Sequence, residues 1–222
     1  MGNEGKPPGA VIFDMDGVLA DTEPLHGECF IRAFAGFGIE TTLEQYRQAV
    51  TLGGSTVRDY FLTLGGDPSD WDRVKAIKDA SLLEVIDQKQ ALLPGVMRLL
   101  NLLRSAGIPT AIATSARRIS LDIVIDCLGL RPYFDVTVTK DEAEAEKPDP
   151  GLYLMAAERL GLDSNDCVAI EDSPRGVVAA TRAGMKCIAV PTPSTADGDF
   201  SPATLIVRSL EDIDIETLCN LL

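Results

Sequence analysis

The sequence predicts an α/β protein, a doubly wound parallel sheet with an all-helical subdomain inserted behind its first strand. Three observations carry this. Ala10 to Phe13 is a short apolar run of strand length. Helical periodicity then fills about 22–88 with no clear strand inside it. From Leu93 onward, strand and helix signals alternate at short spacing, the pattern of a parallel sheet with helical crossovers.

Residues 1–9 (MGNEGKPPG) read as a flexible lead-in, and AVIF as a buried strand. The inserted block reads as helices over about 24–37, 42–50, 55–64 and 69–90, punctuated by Gly53-Gly54 and Gly65-Gly66. PGVMRLLNLLRSAG is an amphipathic helix, with Pro94 placed near its first turn and Gly107 at its end. IPTAIAT is a strand, ISLDIVIDCLGL a helix, FDVTVT a strand, DPGLYLMAAERLGL a helix and CVAIED a strand. SPRGVVAATRAG opens with a serine cap and a first-turn proline. MKCIAVP and ATLIV are further strands, and a helix from about 210 closes the chain. The expected division is a core of 1–21 with 89–222 and a helical subdomain of 22–88.

Composition bounds the function. The formal net charge of -14 repels a nucleic-acid duplex or an anionic membrane, so neither is an expected partner. The five cysteines stand at least twenty residues apart, form no CxxC pair and are odd in number. They read as reduced thiols, and with no apolar run of spanning length the expected compartment is the cytoplasm.

In an open parallel sheet, ligands bind beyond the carboxyl ends of the strands. Here those ends carry Asp14-Met15-Asp16, then Thr114-Ser115, then Glu171-Asp172, with Lys147 in EKPDPGLY just before a helix. Two like charges 4 Å apart repel by about 4 kcal/mol at an effective dielectric near 20. Converging carboxylates therefore call for a cation, and Mg²⁺ suits oxygen ligands and a phosphate. A calcium loop does not fit DMDG, because its glycine is fourth and a strand precedes it. The chemistry that uses all these groups is phosphoryl transfer through a covalent intermediate: Asp14 attacks phosphorus and Asp16 moves the proton. Gly17 lets the chain turn away without crowding the phosphate. Taken singly, the same residues have plainer readings. Thr114 could cap its own backbone, Glu171-Asp172 could complement a helix dipole, and Lys147 could be a surface lysine.

DMDGVLADTEPLH, the strand-end Thr114, KPDPGLY and AIEDSPRG, in this order, resemble the four motifs of the haloacid dehalogenase-like hydrolase superfamily. The helical block behind the first motif is similar to the cap of the phosphoglycolate phosphatase and β-phosphoglucomutase branch, and the likeness spans residues 10–215. It implies a Rossmann-like core, a mobile helical lid and an Mg²⁺-dependent aspartate nucleophile. Carried over by position, Asp14 is the nucleophile and Asp16 the acid and base. Thr114, Ser115 and Lys147 hold the phosphoryl group. Asp14, Asp16 through its backbone carbonyl, Glu171 and Asp172 hold the metal. True dehalogenases and phosphonoacetaldehyde hydrolases lack an acid at the place of Asp16, which puts this chain with the phosphotransferases. His26, Arg58, Lys78 and Arg117 are candidate substrate contacts, although Lys78 stands two residues closer to LLPG than the comparable lysine of the mutases.

The expected function is an Mg²⁺-dependent phosphatase of a small phosphorylated metabolite, a sugar phosphate, working as a monomer or weak dimer. A hexose-phosphate mutase of the β-phosphoglucomutase type is the alternative. A non-catalytic phosphate-sensing module is the alternative of another class.

Overall fold

The structure, a computed structural model, describes residues 6–53, 55–86 and 92–222. The start of the lead-in, Gly54 and the end of the helix expected to reach 90 lie outside the described residues. The chain divides into two units, one of Met1–Ala20 with Leu92–Leu222 and one of Asp21–Ala91.

In chain order, β1 (Ala10–Phe13) is followed by the helices of the second unit. These are α1 (Glu23–Ala35), α2 (Leu43–Tyr46, running on as a π-helical turn over Arg47–Leu52), α3 (Val57–Thr63) and α4 (Trp71–Val85). The first unit resumes with α5 (Val96–Ser105), β2 (Thr110–Thr114), α6 (Arg118–Cys127), β3 (Val136–Thr139) and α7 (Gly151–Leu160). It continues through β4 (Cys167–Glu171), α8 (Pro174–Arg182), β5 (Lys186–Ala189), β6 (Leu205–Ile206) and α9 (Ile215–Cys219). The six strands pair in parallel in the order β3-β2-β1-β4-β5-β6. This is the doubly wound Rossmann-like sheet that the sequence predicts. Chain progression runs outward in both directions from β1 and β4, so the switch point lies between them, where such sheets form their ligand crevice.

Two boundaries differ from the sequence reading. Pro94 stands outside α5, whose N-cap is Gly95 with φ of 85°. Gly95 packs so closely on Leu210 and Glu211 that a Cβ would lie 2.5 Å from the Glu211 nitrogen. The expected closing helix is a 3₁₀ turn over Leu210–Asp212 and then the short α9, capped by Asp214 accepting from the Thr217 N–H.

The alternation of strand side chains sorts the sheet by size. One face carries Ala10, Ile12, Ala111, Ala113, Cys167, Ala169, Cys187 and Ala189, packed against α7 and α8. Small residues there bring those helices close to the sheet. The other face carries Val11, Phe13, Ile112, Val168, Ile170 and Ile188, all fully buried. Tyr153 of α7, on the small-residue face, heads the largest fully buried side chains among the described residues. Within this unit Ala20 forms an antiparallel bridge with Leu92, and the Leu93 N–H donates to the Leu19 carbonyl at 3.2 Å. The outgoing and returning chains therefore leave the sheet side by side.

The helical unit has a core of its own, built on Phe34, Tyr46, Tyr60, Phe61 and Val74. The Phe30 and Trp71 rings lie parallel with centroids 6.2 Å apart, and Phe34 meets Phe61 at 5.1 Å. Thr42 and Gln45 form a reciprocal capping box at α2, and Thr56 caps α3 by accepting from the Asp59 N–H.

The loop from β3 to α7, which brings Lys147, is tied down at Glu142. Its carboxylate accepts from the Thr139 N–H at 3.1 Å, the Thr139 hydroxyl at 3.0 Å, Arg159 Nη1 at 2.6 Å and Arg118 Nη2. Burial pushes this carboxyl up, and hydrogen bonds from Arg159, Arg118 and Thr139 outweigh it, leaving a pKa of about 2. A depressed acid stabilises the fold fully above its unfolded value, near 4.5, and loses that contribution as pH falls toward about 2. Acid titration of the thermal midpoint should therefore separate Glu142→Gln from the native chain above pH 4.5, with the two converging below pH 3. Parallel curves throughout would remove Glu142 as the tie.

Candidate active site

Strand parity builds the site. Asp14 follows Ala10 and Ile12 at the two-residue period, so its side chain leaves on the small-residue face, while Met15 is fully buried on the other. β1 and β4 are in register through Phe13 and Ile170, and the Asp14 N–H donates to the Ile170 carbonyl at 2.9 Å. One step further along β4 stands Glu171, on the face shared by Cys167 and Ala169. Asp14 and Glu171 thus arrive together at the switch point from strands about 157 residues apart in the chain.

Lys147 joins them. Its Nζ donates to Asp14 Oδ1 at 2.5 Å, Glu171 Oε1 at 2.7 Å and the Ala113 carbonyl at 2.8 Å, with a longer bond to the Tyr153 hydroxyl at 3.4 Å. Burial pulls the Lys147 pKa down, and the carboxylates of Asp14 and Glu171 more than reverse this, so the ammonium stays charged. The Lys147–Pro148 peptide is cis. Arg175 donates to the Lys147 carbonyl and Arg182 to that of Pro148, fixing the loop to α8.

Asp172 comes next along the chain, at the start of the turn into α8. Its carbonyl accepts from the Thr195 hydroxyl at 2.7 Å. Ser173 caps α8 by accepting from the Gly176 N–H at 3.1 Å. Two glycines make the room. Gly17 has φ of 79°, and a Cβ on it would lie 2.2 Å from Asp172 Oδ2; a Cβ on Gly176 would lie 1.8 Å from Glu171 Oε1.

Asp14, Glu171 and Asp172 are all buried, and each brings a carboxylate oxygen within 4.8 Å of the others. One ammonium faces three carboxylates. Burial pushes Asp172 up to about 9, reinforced by the charges of Asp14 and Glu171 and opposed by Lys147. Burial likewise pushes Asp14 up to about 7, with Lys147 pulling it back. An all-oxygen, anionic and buried donor set of this kind fits a hard divalent cation such as Mg²⁺.

The other sequence candidates fall in three places. Asp16 is half-buried where the chain turns, bridged to Ala20. Thr114 ends β2 and is buried, and its Oγ1 accepts from the Ala116 N–H at 3.0 Å; Ser115 and Arg117 follow, half-buried, at the entrance to α6. His26, Arg58 and Lys78 belong to the helical unit. His26 is half-buried in α1, and Arg58 is exposed on α3. Lys78 is buried in α4, 3.3 Å from Asp79 Oδ1 and 5.9 Å from the centre of the Phe30 ring.

Sequence reasoning missed three residues around this cluster: Tyr153, Arg175 and Thr195. Tyr153 sits inside KPDPGLY, but its stripe on α7 is otherwise Leu152, Ala156 and Ala157, which reads as ordinary core. A lone phenol in such a stripe is the signal, since a buried hydroxyl needs a partner.

The fold and this cluster define a hydrolase class. A family profile described as "Haloacid dehalogenase-like hydrolase" matches residues 11–190, and the chain belongs to that family and is an enzyme. Protein CbbY of Rhodobacter capsulatus is 37% identical over 205 residues, spanning 87% of this chain and 90% of the relative. Hexitol phosphatase B of Escherichia coli (strain K12) is 30% identical over 213 residues, spanning 94% of this chain and 96% of the relative. Among solved structures, CbbY of Rhodobacter sphaeroides in complex with xylulose-(1,5)bisphosphate aligns with a TM-score of 0.81 at 27% identity, covering 92% of this chain and 96% of that one.

Two outcomes follow from the geometry. Gly17→Ala places a methyl against Asp172 in a left-handed backbone that alone costs about 1–2 kcal/mol. Chemical denaturation should show at least that loss, and calorimetry a weakened Mg²⁺ affinity; native values for both would remove the contact. Asp172 carries a raised pKa, so the folded state holds a proton that the unfolded state releases above its ordinary value of 3.8. Stability of the metal-free protein should therefore fall as pH rises from about 4 to 9. Added Mg²⁺ should raise the melting temperature more at pH 8.5 than at pH 5.5, because binding displaces protons. A metal-induced shift independent of pH would contradict this.

Proposed function

We propose that the chain is an Mg²⁺-dependent phosphomonoester hydrolase of a small phosphorylated metabolite, a sugar phosphate, acting through an aspartyl phosphate on Asp14. The observation that carries the reading is the Asp14 carboxylate held by Lys147 at 2.5 Å in a buried crevice beside Asp172. The hexitol phosphatase and the CbbY complex with a sugar bisphosphate support the substrate class.

In the first step a carboxylate oxygen of Asp14 forms a bond to phosphorus. The bond from phosphorus to the sugar oxygen breaks, and that oxygen takes the proton of the Asp16 carboxylic acid. In the second step water adds to phosphorus and gives a proton back to Asp16. The bond from phosphorus to Asp14 breaks, so both acids return to their starting states and inorganic phosphate leaves. Asp14 and Asp172, with the Asp16 carbonyl at hand and Glu171 behind them as a fixed negative charge, would hold Mg²⁺, which when bound supplies positive charge against the acid cluster and the phosphoryl oxygens. Lys147 gives the second positive charge, from a position fixed by its loop and not by a flexible surface stem. The Thr114 oxygen accepts a backbone N–H, which leaves its own proton available to donate to a phosphoryl oxygen.

The test is a phosphate-release assay across sugar phosphates with Mg²⁺, beside Asp14→Asn and a chelated sample. Turnover should fall below about 1% in both, a loss at least as large as the low end of the roughly 10²–10³-fold that one oxyanion contact supplies. Circular dichroism should stay native, and Mg²⁺ should restore the chelated sample alone. Residual activity well above that level in Asp14→Asn would end the nucleophile role. Conversion of β-glucose 1-phosphate to glucose 6-phosphate without free phosphate would identify a mutase instead.

A further inference from the structure

Tyr153 contacts both charged partners of Asp14's neighbourhood without being acid, base or ligand. Its hydroxyl donates to Glu171 Oε1 at 2.8 Å and stands 3.4 Å from Lys147 Nζ. The centre of its ring lies 4.8 Å from the same ammonium. The direction of the hydroxyl proton follows from its two partners. A carboxylate oxygen has no proton to give, and Lys147 Nζ, whose three shorter bonds go to Asp14, Ala113 and Glu171, is itself a donor to the phenol oxygen at 3.4 Å. Tyr153 must then donate, and Glu171 Oε1 receives.

Glu171 is thereby filled by the chain itself. Oε1 accepts from Lys147 and Tyr153. Oε2 accepts from the Ser173 hydroxyl at 3.1 Å, the Asp172 N–H at 3.2 Å and the Ser173 N–H at 3.3 Å. The residue is fully buried, and Gly176 leaves no gap behind it. A carboxylate bonded on both oxygens cannot swing without breaking several of these bonds. It serves as a fixed counter-ion whose place decides where the Lys147 charge sits.

We propose that Tyr153 is a positioning residue: by locking Glu171 and bracing the Lys147 ammonium with its ring, it aims that charge at the Asp14 side of the crevice. Without the hydroxyl, Oε1 loses one of two donors. Glu171 then draws Lys147 toward itself and away from the transferring group. A misplacement of this kind acts when charge develops on the phosphoryl oxygens, so it lowers turnover more than substrate binding.

The inference rests on the hydrolase reading, and the test separates the two. Tyr153→Phe keeps the ring and removes only the hydroxyl. Its kcat on the sugar phosphate that the native enzyme hydrolyses fastest should fall about tenfold, with KM and the Mg²⁺ half-saturation within twofold of native. In nitrogen-15 lysine-labelled protein, the buried Lys147 ammonium, assigned by its loss in Lys147→Met, should shift or broaden in Tyr153→Phe. A kcat within twofold of native overturns the proposal, as does a loss recovered by raising Mg²⁺, which would place the effect on the cation. If the native chain hydrolyses nothing in the panel, the hydrolase reading fails by itself and the ammonium signal decides: unchanged in Tyr153→Phe overturns the positioning role, altered upholds it. Global unfolding is told apart by Tyr153→Leu, which removes ring and hydroxyl together and should lose thermal stability well beyond Tyr153→Phe.

Discussion

The structure turns on one ammonium group buried between two carboxylates. Lys147 lies within 2.7 Å of both Asp14 and Glu171, and its side chain is about 6% exposed. An ion cluster in that position is costly to desolvate and tolerable only when every charge is bonded. The surrounding residues meet that demand. The Ala113 carbonyl takes the third ammonium proton, Tyr153 and Ser173 complete Glu171, and Gly17 and Gly176 yield the space that side chains would close. With Asp172 added, negative charge still exceeds positive. Three carboxylates against one ammonium make a donor set that fits a hard divalent cation.

The sheet supplies the frame for this cluster through size and period. Small residues on one face let α7 and α8 approach, and the space they leave is occupied by the Tyr153 ring. The same alternation that buries Ala10 and Ile12 sends Asp14 out on that face. Core packing and site geometry are thus one pattern read at successive positions of β1. The helical unit, by contrast, is held by an aromatic cluster of its own, and its polar candidates follow from local helix positions.

Much of this was legible in the sequence, for definite reasons. The strands of the core are unbroken apolar runs ending in charge, and the alternation with helices allows few topologies. Asp14 and Asp172 stood out because acids at strand ends have no packing purpose, and Lys147 because it lies in a motif just before a helix. Their mutual bonds were not legible, since Asp14 and Lys147 stand 133 positions apart and the chain between them carries no record of register. Tyr153 was hidden by an apolar helix stripe, and Thr195 by a loop of common turn residues. Pro94 misled because a proline beside a helix start fits the first turn or the residue before the cap, and only the backbone of Gly95 separates them. The short α9 looked longer because the 3₁₀ turn before it shares its composition.

The bridge between Ala20 and Leu92 sets the terms on which the insertion coexists with its host. Because those two positions already touch, the sheet-bearing unit closes on itself at that seam, and a tight turn could join them with no strand shifted. Evolution, or an engineer, can therefore graft a different segment at this point. Whatever segment is carried there, the host sheet would keep its strand order and register.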